Sequence, residues 1–129
     1  MSPDATVVTT DAPEPRGPYV HARLHGGLVY VTAQIGRDPK TGEFVTGGFE
    51  AEFNQAIDNL ESILSAAGSS LDRVVKAQVE FVDEKDLEAM NRIYGERFHD
   101  PLPARTSFGA AFLWQGAKVQ IDCIAAVER

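Results

Sequence analysis

The feature that most constrains this chain is a change of hydrophobic period at Gly47-Gly48. Before it, YVHARL (Tyr19 to Leu24) alternates as a half-buried strand does, Gly26-Gly27 supplies a turn, and LVYVTAQ reads as a second apolar strand. After it, Phe49, Phe53, Ala56, Ile57, Leu60, Ile63, Leu64 and Ala67 recur at spacings of three and four, which places them on one face of a long helix. A chain with both periods has to bury a helix stripe against a sheet face.

The remaining segments extend this pattern. DPKTGE, from Asp38 to Glu43, is a turn with Pro early and Gly late. Gly68 ends the long helix as a left-handed cap. In VVKAQVEFV, from Val74 to Val82, Val75, Ala77, Val79 and Phe81 alternate with Lys76, Gln78 and Glu80, so this strand has one wet face. Asp83, followed three residues on by Asp86, resembles a capping box with an acid where glutamate is usual. Leu87, Met90, Tyr94 and Phe98 form the apolar stripe of a second helix, and PLP at 101–103 stops it. Two strands close the chain, at Thr106–Phe112 and Lys118–Val127, with WQG between them.

The expected order is ββ–α–β–α–ββ, with one more strand around Glu43–Val45 as the variant. Two helices on an open sheet cover only one of its faces. The other face needs a partner, and a second copy of the chain is the simplest one.

A length of 129 residues suits one domain around one core, and no internal repeat is visible. Twelve Lys and Arg face 19 Asp and Glu, for a net charge of −7. Nucleic-acid binders draw most of their affinity from a basic surface, so nucleic acid is not the expected partner. No apolar run approaches the roughly 20 residues needed to cross a bilayer, and no membrane partner is expected. MSPDATVVTTDAPEPRGP carries acids and prolines without an apolar core, so it reads as a loosely ordered arm over residues 1–16, not a signal peptide, in a cytoplasmic protein. His21, His25 and His99 lack the spaced Cys or His company of a zinc site, and Cys123, alone, forms no internal disulfide. Neither metal nor cofactor is expected.

One residue resists the core pattern. Arg105, behind Pro103, opens an apolar segment where valine would serve packing better. GPY at 17–19, VTAQIGRDPKTGE at 31–43, NL at 59–60, AAG at 66–68, VVKAQVEFV, MNRIYGERF at 90–98, PAR at 103–105 and the closing IDCIAA together resemble the RidA family, also called YjgF or reactive-intermediate deaminases. The resemblance is collinear from about Ala12 to Val127, nearly the whole chain, and 1–129 is read as a single RidA-like domain.

That resemblance implies an α+β, chorismate-mutase-like fold: a mixed sheet with two helices on one face, three copies closing into a barrel with clefts between subunits. It implies hydrolysis of 2-imino or enamine carboxylic acids to 2-keto acids and ammonia, without metal or organic cofactor. Arg105 matches the family's substrate arginine, whose parallel N–H donors suit a carboxylate; a salt bridge to an acid of another subunit is the competing role. Tyr19 matches the tyrosine lining the cleft, against a plain half-buried aromatic. Asn91 matches a recurrent family position, although a helix-face residue bonded to a nearby loop fits it better. Thr32, Ala33 and Gln34 match the cleft-wall segment usually read Ser-Gly-Gln, with Ala33 in place of the glycine, and Ser107 stands where many members carry cysteine. Without a paired base Ser107 is a poor nucleophile, which argues against covalent catalysis.

Gln120 is the departure. It aligns with the glutamate that holds and activates water in hydrolytic members, and an amide cannot take a proton near neutral pH. Asp122, one pleat repeat away, would substitute only in a shifted cleft. The alternative function is therefore a non-hydrolytic relative that binds a small carboxylate metabolite or catalyses tautomerisation or cyclisation. An RNA-directed or chaperone-like role ranks last. Trp114 reads as closing a hydrophobic edge and Cys123 as a small buried hydrophobe.

Overall fold

The computed structural model describes residues 4–127. Its strands are β1 (Ala5–Val7), β2 (Ala22–His25), β3 (Leu28–Gln34), β4 (Val74–Phe81), β5 (Ala104–Gly109) and β6 (Val119–Ala126); its helices are α1 (Gly48–Ala66) and α2 (Leu87–Arg97). They form one six-stranded sheet in the order β1-β2-β3-β6-β4-β5. All pairs are antiparallel except β4 with β5, which α2 joins as a parallel crossover.

The period-3.6 stripe becomes α1, which buries Phe49, Phe53, Ala56, Ile57, Leu60, Ile63 and Leu64. Its end is a Schellman turn: Gly68, at φ 80°, donates to Ser65 O at 3.1 Å and Ser69 to Leu64 O at 2.8 Å. Beneath α1 and α2, β6 alternates strictly, with Val119, Ile121, Cys123 and Ala125 buried in the core. Gln120, Asp122, Ile124 and Ala126 point to the opposite face, which the helices leave open and half-buried.

Several expectations need correction. The loose arm over 1–16 contains the edge strand β1, registered Ala5 to Leu24 and Val7 to Ala22, and residues 1–3 of that arm lie outside the described residues. An unpaired strand edge recruits even a three-residue segment once Val7 finds the core. Beyond it His21, fully buried, accepts from Thr9 N at 3.1 Å through Nδ1 and donates to Pro13 O at 2.8 Å through Nε2, pinning the segment down.

The strand expected from Tyr19 begins only at Ala22, and the variant strand around Glu43–Val45 is a single bridge between Arg37 and Phe44. Val75 is 51% exposed instead of buried, because the pairing of β4 with β6 slips between Val74 and Lys76. A one-residue bulge turns a side chain to the other face. Asp83 caps a single 3₁₀ turn (Glu84–Asp86) by accepting from Lys85 N at 3.0 Å, so α2 starts at Leu87, which is exposed while Ile93 joins the buried stripe.

Candidate active site

At the end of β3 the register with β6 shifts between Val31 and Gln34. The opened ladder exposes Thr32 and Ala33 to a cavity of about 280 Å³, walled also by Pro13, Arg16, Tyr19, Arg37, Trp114 and Gln120. That volume suits a metabolite, not a macromolecule. Thr32 donates from Oγ1 to Val20 O at 2.7 Å, leaving its oxygen lone pairs to face a ligand. Tyr19, 47% exposed, accepts from Arg16 N at 3.3 Å, so its own phenolic proton remains to be donated. Its ring lies so close over Gly17 that a Cβ there would meet Cε2 at 2.8 Å, which explains the glycine of GPY.

Gln120 stands directly opposite Glu80 in the β4–β6 register and donates from Nε2 to Glu80 Oε1 at 2.7 Å. A carboxylate accepts only, so the NH₂ must face it and the amide oxygen must face away. Glu80 is only 5% exposed, and its Oε2 has no hydrogen-bond partner. Sequence reasoning placed Glu80 on a wet face and missed it; only the register brings it under Gln120. Asp122 does not line the cavity, and burial first, then the Glu80 charge, push its carboxyl up to about 6.

A second cluster forms where β5 meets α2. Arg105 donates from Nη2 to Asn91 Oδ1 at 2.7 Å, and its Cζ lies 4.7 Å above the Tyr94 ring. Tyr94 in turn stacks on Phe98 at 4.3 Å. Burial raises the Tyr94 phenol to about 12, against the opposing charge of Arg105, so the ring is a neutral platform. Asn91 thus bonds to the arginine itself, not to a loop. Ser107 follows two residues along the same face of β5, opposite Val79 where Arg105 is opposite Ala77. Among the described residues no acid pairs with Arg105.

The residues singled out from sequence therefore fall in two groups. Tyr19, Thr32, Ala33 and Gln120 share the cavity; Arg105, Asn91 and Ser107 do not line it. Arg105 faces the helix side at Ala77 and Gln120 the open side at Glu80, two strands apart, or roughly 10 Å at the usual strand spacing. Within one copy they cannot grip one small ligand.

Arg37 is the other residue that sequence reasoning left unassigned. It is 6% exposed, lines the cavity, and lies 5.6 Å from the centroid of Trp114, itself 43% exposed and so not closing a hydrophobic edge. Its loop is anchored to α1: Asn59 Nδ2 donates to Arg37 O at 2.9 Å and to Ile35 O at 3.2 Å. Burial first, then the neighbouring Arg16 charge, hold the Arg37 guanidinium below its usual range, partly offset by Tyr19.

Among known proteins, a family model described as Endoribonuclease L-PSP matches residues 9–127. The chain is 38% identical over 128 residues to a 2-iminobutanoate/2-iminopropanoate deaminase of Dermatophagoides farinae, covering 99% of this chain and all of that one. A crystal structure of RidA from the Antarctic bacterium Psychrobacter sp. superposes with a TM-score of 0.92 at 36% identity, covering 95% of this chain and 99% of that one. A structure of E. coli TdcF with bound serine superposes at 0.89 and 27% identity, covering 96% and 99%.

Proposed function

The chain belongs to the RidA/YjgF family, and we propose that it hydrolyses small 2-imino or enamine carboxylic acids to 2-keto acids and ammonia. The observation that carries this reading is the presentation of Arg105. Lying over the Tyr94 ring and tied by one nitrogen to Asn91, its guanidinium keeps N–H groups for a carboxylate. The deaminase relative and the serine-bound neighbour both handle ligands that carry such a carboxylate.

In this reaction water adds to C2 of the protonated imine, a C–O bond forms, and the C=N electron pair moves to nitrogen. A proton passes from the added water to the amine, the C–N bond breaks, ammonia leaves and the 2-keto acid remains. Enamines enter after protonation at C3. Gln120, its NH₂ held by Glu80, presents its amide oxygen to orient the water without taking its proton. A protonated imine is electrophilic enough for a positioned water. Tyr19 and Thr32 shape the pocket.

We further infer that three copies close their open sheet faces into a barrel and that Arg105, Asn91 and Ser107 of one copy complete the cavity of the next. The separation of Arg105 from Gln120 across the sheet supports that assembly. No helix among the described residues is long and apolar enough to cross a membrane.

The test is an imine assay in which an amino-acid oxidase generates 2-imino acids and semicarbazide traps what survives. Wild type lowers trapping, and Arg105→Ala loses about 10- to 100-fold in kcat/KM, the worth of hydrogen bonds to a charged group. The reading fails if wild type releases no ammonia. A non-hydrolytic protein binding a small carboxylate, favoured by Gln120 in place of the usual glutamate, would then be left.

A further inference from the structure

Arg37 sits in the cavity with an unmet need. It is buried, and among the described residues only Nη2 has a partner, Glu14 O at 3.0 Å; Nε and Nη1, both closed to solvent, have none. A buried cation with two idle N–H groups is costly, and such a cost is ordinarily offset by an opposite charge. Among the described residues none lining the cavity is acidic, in a chain with 19 Asp and Glu. A second cation, Arg16, lines the same cavity from the N-terminal segment, bonded only weakly to Gly42 O at 3.5 Å. The two like charges reinforce one another's attraction for an anion.

The Arg37 loop is rigid. Asn59 holds the Arg37 carbonyl, and Trp114 covers the guanidinium. A Cβ on Gly36, the preceding residue, would meet Glu52 Cα at 2.6 Å, so this loop lies directly against α1. The loop is thus fixed in advance of any ligand, while Nε and Nη1 are closed to solvent, so an anion reaches them only when the Trp114 cover shifts.

We infer that Arg37, supported by Arg16, binds a second anionic group of the substrate, so that the preferred substrates are 2-imino dicarboxylic acids. The inference rests on the deaminase reading, in which Arg105 of a neighbouring copy holds the carboxylate beside the imine. Arg37 then takes the carboxylate at the far end, while Gln120 and Thr32 line the space between. A monocarboxylic substrate leaves the two idle N–H groups of Arg37 unmatched, and discrimination follows from that deficit.

The experiment compares 2-iminoglutarate with 2-iminobutanoate, both made in situ by amino-acid oxidases, on the wild type, Arg37→Leu and Arg16→Gln. The wild-type kcat/KM ratio exceeds about 10 in favour of the dicarboxylate, as hydrogen bonds to a charged group predict, and falls to about 1 in Arg37→Leu. Arg16, being exposed, contributes less, so Arg16→Gln lowers the ratio by about 2- to 3-fold, and it reports even if Arg37→Leu folds poorly. Calorimetric titration with glutarate and butyrate reads the same site without turnover: glutarate binds the wild type about 10-fold more tightly, a difference lost in Arg37→Leu. A wild type inert on both imines refutes the deaminase reading, while the titration still decides the anion site. Equal binding of glutarate and butyrate, or equal loss of both substrates in Arg37→Leu, overturns the inference.

Discussion

Restoring a carboxylate at position 120 should not simply restore a strong base. Gln120 Nε2 lies 2.7 Å from Glu80 Oε1, and Glu80 is buried with its other oxygen unpartnered. Gln120→Glu would replace a donor by an acceptor and bring two carboxylates into contact. At an effective dielectric constant of about 20, like charges about 4 Å apart repel by about 4 kcal/mol. At about 1.4 kcal/mol per unit this raises the second ionisation by about 3 units, from an ordinary Glu value of about 4.3 to about 7. The pair would share one proton up to neutral pH, titrating as a unit. Background-corrected imine hydrolysis between pH 5 and 9 should therefore show an acid limb near 7 in Gln120→Glu. In Glu80→Gln/Gln120→Glu the amide and the acid have exchanged places, the repulsion is gone, and the limb should fall below about 5. ¹³C-carboxyl NMR titration of the same variants follows the pair without turnover. A Gln120→Glu profile with its limb near 4, or one that Glu80→Gln leaves in place, would refute the reasoning.

Two further predictions concern stability. Asp122, raised from 3.8 to about 6 by burial and then by Glu80, is held more tightly in its neutral form by the folded state than by the unfolded one. Its neutral form favours folding below the unfolded value, and that advantage is lost as pH rises through the folded value. Asp122→Asn should therefore match the wild type in urea unfolding near pH 3.5, gain on it between pH 4 and 6, and hold a constant advantage above; a pH-independent difference would count against this. Asn59, 1% exposed, satisfies two loop carbonyls, so Asn59→Ala should cost about 1–3 kcal/mol in the same assay, and a loss below about 0.5 would show the loop held by other means.

Legibility from sequence varied with the range of the interaction concerned. The α1 stripe and its Gly68 cap lie within single runs of sequence, and the structure has them almost residue for residue. Arg105 was conspicuous because a charged residue stood behind a proline in an apolar segment, but its seat between Asn91 and Tyr94 depends on α2 crossing back over β5. Glu80 reads as solvated by alternation, yet is buried because the β4–β6 register sets Gln120 opposite it. Arg37 gave no periodic signal, since its cavity draws walls from Pro13, Thr32, Trp114 and Gln120, more than a hundred positions apart at the extremes.

From sequence alone came the helices, most of the strands, the one-sided coverage of the sheet and the family with its arginine. Each rests on backbone periodicity or a contiguous motif, which a residue's near neighbours dictate. Tertiary structure alone decided that Ala5–Val7 closes an edge, that Val75 leaves the core at a bulge, that Gln120 is held by Glu80, and that Arg37 lines a cavity with no acid among its described walls. Those outcomes depend on pairing register and on contacts between distant segments. A one-residue slip reverses a side chain's face without changing any local preference, so no spacing in the sequence specifies it.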